Sequence, residues 1–232
     1  MILLPVRVWG SCFVAAVWCM VSFCHAESVP TKGADVGKWT QDYDAAVKLA
    51  AEKKLPLLLN FTGSDWCGWC KLMDKQVFAQ PEWQEYAAKS VVLVTLDFPN
   101  DKSIVPADYV ARNEKLSETF GVQGYPTYVV LDSDGKTQIG QLGASKEATP
   151  KDFIEKFKTA LKMSEGAIEA KATELGAEKG KAYKEAIAGY RAATKELKDW
   201  IATRPQRNEE NNKKFESFKA AIAAAKEKMD SF

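Results

Sequence analysis

Two short apolar runs, residues 56–61 and 91–96, constrain this fold more than any other feature. A strand with polar residues at alternate positions can leave one face in water. A run built from Leu, Val and Phe must be covered on both faces. The surrounding segments supply the cover. Tyr43, Ala46, Val47, Ala50 and Ala51 fall at helical spacing within residues 40–54, ahead of the first run. After it, residues 70–79 read as a helix with Leu72, Met73 and Val77 on one side, and Pro81 opens a further helical stretch to Ala88. Past a loop over residues 99–106, a helix passes through Leu116 to Phe120. Residues 127–131 and 137–142 are strand-like and are joined by Asp132-Ser133-Asp134-Gly135, a hairpin turn signal. Thr149-Pro150 then opens a helix, Pro at its first position, with Phe153, Ile154, Phe157 and Leu161 inward. Buried strands come first and a hairpin last, which predicts an α/β fold with a central mixed sheet flanked by helices.

From Ser164 onward the chain changes. It is rich in Ala, Lys and Glu, poor in β-formers and helical in period. Ile168, Ala172, Leu175, Tyr183, Ile187, Tyr190, Leu197 and Ile201 keep to one stripe, which Pro205 interrupts. Phe215, Phe218, Ile222, Ala225 and Met229 follow in alternating steps of three and four, the pattern of a helix seam. Two helices joined near residues 204–208 are expected to form a C-terminal α-helical hairpin. Gly176, Gly180 and Gly189 each weaken the first helix by roughly 1 kcal/mol against Ala, so packing must hold it. The expected organisation is a segment 1–26 that is removed, a flexible lead-in over 27–38, a main domain over 39–163 and a helical extension over 164–232.

Arg7 is the only charge before Glu27, an apolar stretch follows it, and Cys24 and Ala26 give a small-x-small site. That combination reads as a cleaved secretory signal peptide, and a retained N-terminal anchor is the alternative. Cleavage would remove Cys12, Cys19, Cys24 and His25, the single histidine, leaving Cys67 and Cys70 as the whole thiol chemistry. Without histidine there is no Ser-His-Asp or Cys-His catalysis and no histidine metal site. One vicinal pair is no disulfide-stapled scaffold either. Charge says less: loss of Arg7 reduces 32 basic residues to 31, against 31 acidic ones. No basic excess points to nucleic acid or to an anionic membrane.

Trp66-Cys67-Gly68-Trp69-Cys70-Lys71 lies between a predicted strand and a predicted helix. A cysteine at a helix N-terminus meets unpaired N–H groups and the positive end of the dipole, which stabilise its thiolate. Cys67 is therefore expected to be an exposed nucleophile that attacks a substrate disulfide, with Cys70 one turn inside to resolve the mixed disulfide. Half of a metal site is the other reading, but zinc needs four ligands and this chain has no third cysteine or histidine to offer outside the signal segment. A purely structural disulfide is the third.

Residues 61–71 resemble the active-site segment of the thioredoxin-like family of exported bacterial proteins, and the order of elements is the thioredoxin arrangement. Phe120-Gly121-Val122-Gln123-Gly124-Tyr125-Pro126-Thr127 resembles that family's second motif. The resemblance covers roughly residues 38–163. It implies a cis proline at Pro126 facing the cysteines, and a Tyr125 backbone that pairs with an extended substrate. Simply starting a strand is the plainer role for Pro126. Trp66 and Trp69 either contact substrate or merely cover the pair. The family's buried acid has no counterpart here, since Asn60 occupies the nearest place and Thr95 stands near that of the accompanying lysine. Asp65 is then the candidate for proton transfer, or else a solvated loop carboxylate.

The resemblance implies a thiol–disulfide oxidoreductase, a reductase or isomerase acting on disulfide-containing exported proteins in the periplasm. A membrane-bound dithiol would donate the electrons, and dithiol exchange needs no bound organic cofactor or metal. The family's periplasmic isomerases are dimers, so residues 164–232 could mediate a homodimer. The competing reading makes the domain a scaffold whose helical extension binds a partner protein or envelope component; deleting residues 164–232 separates the two.

Overall fold

The computed structural model describes residues 29–232, so the expected signal segment lies outside the described residues. In chain order the elements are β1 (Trp39–Thr40), α1 (Tyr43–Lys53), β2 (Leu57–Thr62), α2 (Gly68–Met73), α3 (Pro81–Ser90), β3 (Val92–Asp97) and α4 (Ala107–Thr119). There follow β4 (Thr127–Leu131), β5 (Gln138–Gly143), α5 (Pro150–Leu161), α6 (Glu165–Leu175), α7 (Ala177–Ala202) and α8 (Glu209–Asp230). One five-stranded sheet runs in the order β1-β3-β2-β4-β5. Its first three strands are parallel, and β4 and β5 are antiparallel additions.

The apolar runs sit where two-sided burial demands, at the centre of the sheet. Because side chains alternate across a strand, each run divides between two cores. Leu58, Leu93, Tyr128 and Val130 face a layer built with Phe78, Trp83, Phe153 and Phe157 from the α2–α3 region and α5. Leu57, Leu59, Phe61, Val92, Val94 and Leu96 face the opposite layer, with Ala46 and Ala50 of α1 and Phe120 at the end of α4. In the first layer Phe78, Trp83, Tyr128 and Phe153 pack edge to face, with ring centroids 5.1 to 5.3 Å apart.

Four details depart from the sequence expectation. First, the lead-in is tied down over its described part. The Gln41 N–H donates to the Pro30 carbonyl at 2.8 Å, and the Gly37 N–H donates to that of Val91 at 2.9 Å. The Thr40 hydroxyl donates to the Gly33 carbonyl at 2.6 Å. Second, Trp39–Thr40 forms the edge strand β1; two residues are too short for periodicity to reveal. Third, the helix expected over residues 70–79 begins earlier, at Gly68, and widens into a π-helical turn at Asp74–Phe78. Fourth, the expected hairpin is present as α7 and α8, joined over residues 203–208, but a separate helix, α6, precedes it.

The extra break falls at Gly176, whose φ of +80° is open to glycine and costly for other residues. Ser164 caps α6, its side chain accepting the Ala167 N–H. The α6 and α7 backbones then approach so closely that a Cβ on Gly180 would lie 2.2 Å from the Ala172 carbonyl oxygen. Ile168, Ala172, Ala186 and Ile187 are buried there. The helix α8 packs along α7, with Phe218 against Trp200 at 5.5 Å and the terminal Phe232 against Tyr183 at 5.7 Å. Phe218, Ile222, Ala225 and Met229 are half-buried, and no residue of α8 is fully buried. No helix among the described residues is long and apolar enough to cross a membrane.

Candidate active site

The strand β2 ends at Thr62, where β3 ends beside it at Asp97. Residues 63–66 make the turn into α2. The Cys67 N–H donates to the Gly63 carbonyl at 2.8 Å. Gly63 leaves room for the Trp66 ring, which a Cβ there would meet at 2.3 Å. Cys67 is the N-cap of α2, and its Sγ accepts the Cys70 N–H at 3.1 Å. The two cysteines are joined as a disulfide, with Cα atoms 5.2 Å apart.

Both cysteines are buried in this oxidised form, which corrects the expectation of an exposed Cys67. Cys67 is 4% exposed and Cys70 is 7%. Trp66 and Trp69, at 46% and 50%, take the exposure on either side. Trp66 is fixed: its indole N–H donates to the Phe98 carbonyl at 2.9 Å, and its ring meets Tyr125 edge-on at 5.7 Å. Tyr125 in turn packs on Phe98 at 5.2 Å. These contacts bring the second motif against the first. The Tyr125–Pro126 peptide is cis. Burial pushes the Tyr125 phenol pKa up, and no fixed contact holds the Trp69 ring in any comparable way among the described aromatic pairs.

Asp65 is a loop clamp. Its two carboxylate oxygens accept the N–H groups of Asn100 and Asp101 at 3.0 and 2.9 Å. Those bonds, Asp101's foremost, hold its pKa below the ordinary carboxylate value. A carboxylate so engaged is a poor acceptor for a thiol proton, and the geometry gives the proton-transfer expectation no support. Lys71 completes the clamp, donating to the Asp65 carbonyl at 2.7 Å.

Sequence reasoning missed two acids. Buried Asp97 accepts the Ser64 N–H at 2.9 Å and the Ser64 hydroxyl at 2.5 Å, anchoring the active-site turn to the end of β3. Only the pairing of β2 with β3 reveals it. The other is Asp74. It lies four residues after Cys70, so the helical spacing could have flagged it. A cavity of about 230 Å³ opens beside the disulfide, lined by Cys70, Lys71 and Asp74 of the helix with Asn60 and Thr95 of the strands. Among the described residues no cluster of three His, Cys, Asp or Glu could hold a metal.

Known proteins resemble this chain over the same region. A family model described as thioredoxin-like matches residues 38–133 and stops short of the extension. Disulfide bond reductase DsbH of Chlamydia pneumoniae is 32% identical over 123 residues, 53% of this chain and 72% of that protein. Thioredoxin-related protein DsbJ of the same organism is 26% identical over 132 residues, 56% of this chain and 38% of that one. A solved DsbH oxidoreductase superposes with a TM-score of 0.50 at 29% identity, covering 56% of this chain and 87% of that one.

Proposed function

The chain belongs to the thioredoxin-like family and is a thiol–disulfide oxidoreductase; from that premise we propose that it reduces or isomerises disulfides in exported proteins. The observation that carries the reading is the Cys67–Cys70 disulfide at the start of α2, with the Tyr125–Pro126 segment brought against it through Trp66.

In the dithiol form the Cys67 thiolate attacks one sulfur of a substrate disulfide, and the other sulfur leaves as a thiol. Cys70 then attacks Cys67 Sγ, closing the disulfide seen here and releasing the second substrate thiol. Two electrons pass to the substrate. If a different substrate thiol resolves the intermediate instead, the result is isomerisation. The Cys70 N–H already directed at Cys67 Sγ stabilises the attacking thiolate. Trp66 and Trp69 offer an apolar rim to residues flanking the substrate disulfide. The backbone at Tyr125 pairs with an extended substrate strand. The enzyme works outside the cytoplasm, where substrate disulfides persist. Electrons come from a membrane-bound dithiol.

Cys67→Ser is expected to abolish turnover of insulin disulfides with dithiothreitol as reductant. Retained turnover in that variant would overturn the reading. The reduction potential then sets the direction: about −270 mV marks a reductase and about −180 mV an isomerase.

A further inference from the structure

The resolving step needs Cys70 as a thiolate. Cys70 is buried, and burial disfavours the charged form. Something must take its proton. Asn60 and Thr95 face the cavity beside Cys70 and neither is an acid. Lys71 lines the same space as a cation. The one carboxylate lining it is Asp74, whose N–H donates to the Cys70 carbonyl one turn back, so the two residues stack on one helix face.

The Asp74 carboxyl forms no ion pair or side-chain hydrogen bond among the described residues. The residue is exposed, yet partial burial of its carboxyl pushes its pKa up. On β4, the buried Tyr128 phenol is raised chiefly by desolvation and further by the charge of Asp74. Tyr128 therefore stays protonated and does not compete for the proton. Across the cavity Asn60 Oδ1 is buried without a donor. A cavity of this size and polarity has room for water, and an acceptor without a donor on its wall suits a site that takes up and passes on protons.

We propose that Asp74 accepts, across the cavity that both line, the proton of the Cys70 thiol during resolution of the mixed disulfide. The inference rests on the proposed exchange reaction. The Cys70 S–H proton moves to the Asp74 carboxylate, and the Cys70 sulfur attacks Cys67 Sγ. The bond from Cys67 to the substrate sulfur breaks as the Cys67–Cys70 bond forms. The departing substrate thiolate takes up a proton, which Asp74 returns through cavity water. The acid has thus moved from the strand, where Asn60 stands, to the helix.

The test uses the reduced protein and dithiobis(nitrobenzoate), whose reaction releases one thionitrobenzoate on attack by Cys67 and a second on resolution by Cys70. Asp74→Asn is expected to slow the second release by about ten-fold or more at neutral pH. The first release should change less than about two-fold. The gap should narrow as the pH rises past the ordinary thiol value of about 8.5, and later than that for a buried thiol, because hydroxide then removes the proton without Asp74. Asn60→Asp combined with Asp74→Asn returns an acid to the opposite wall and should recover the second phase. Equal second-phase pH profiles for wild type and Asp74→Asn would overturn the inference while leaving the exchange reaction intact. Absence of both phases from wild type would instead overturn the exchange reaction.

Discussion

Residues 39–163 and residues 164–232 are both well-formed structure, but they are held together in different ways. In the first region every residue of β3 and β4 is buried, and each central strand is covered on two faces. In the second, α8 buries no residue completely and shares a half-covered seam with α7. Seven of the eight ion pairs among the described residues lie in the second region, all between partly exposed side chains. Burial is non-directional but large, whereas an exposed pair is small and screened. The difference teaches where precision is needed. The disulfide, its turn and the Tyr125–Pro126 segment all spring from the ends of two-sided strands, and the extension contributes no residue to them.

The contrast is broken most severely at Trp83. It is 1% exposed and packs edge to face on Phe78 and Phe153 at 5.3 Å. Phe78 closes the π-helical turn that continues the active-site helix. Trp83→Ala is therefore expected to cost about 3–5 kcal/mol in urea unfolding. It should also impair exchange at temperatures where the fold survives. A loss below about 1 kcal/mol would mean that this layer is not what holds the helix bearing Cys70.

Much of this was legible beforehand, and for identifiable reasons. Residues 56–61 and 91–96 carried a clear signal because two-sided burial calls for apolar side chains on both faces, and their two polar residues, Asn60 and Thr95, are the ones that line the cavity beside Cys70. The hairpin at residues 132–135 was legible through turn chemistry. Cys67, Cys70 and Pro126 were legible as motifs. What the sequence hid was produced by tertiary contact. Asp97 reads as the end of a strand until β2 pairs with β3 and brings Ser64 to it. The burial of Cys67 was hidden as well. Asp65 and Asp74 are both acids close to the motif. Only the hydrogen bonds from Asn100 and Asp101, and the cavity beside Cys70, tell them apart.

The second region can be broken at Gly180 with a smaller effect. Glycine there was legible only as a weak point in a helix. The structure shows it permitting the close crossing of α6 and α7, since any Cβ would strike the Ala172 carbonyl. Backbone cannot yield as a flexible side chain can. Gly180→Ala should gain roughly 1 kcal/mol in helix propensity and lose more to the clash. The expected net loss is about 1–2 kcal/mol, read as a lower urea midpoint. Exchange with dithiobis(nitrobenzoate) should be unchanged, because no residue of α6 or α7 lines the cavity beside Cys70. A stabilised variant would show that the two helices separate freely.

The smallest effect sharpens the comparison by testing whether the ion pairs hold the extension at all. Lys195 and Asp199 stand one turn apart on α7, 2.5 Å between charged atoms, with side chains 74% and 61% exposed. At that exposure the attraction works through water and is offset by the ordering of two long side chains. Asp199→Ala also exchanges a poor helix former for the best one, which opposes the lost pair. The two changes should nearly cancel, leaving a shift within about 0.5 kcal/mol. Raising the salt to about 1 M should then have little further effect on either protein, because an exposed pair contributes so little for screening to remove. A large, salt-sensitive loss would instead mean that the seven pairs act as a network. The extension would then be held by charge, and the half-covered seam of α8 would be secondary.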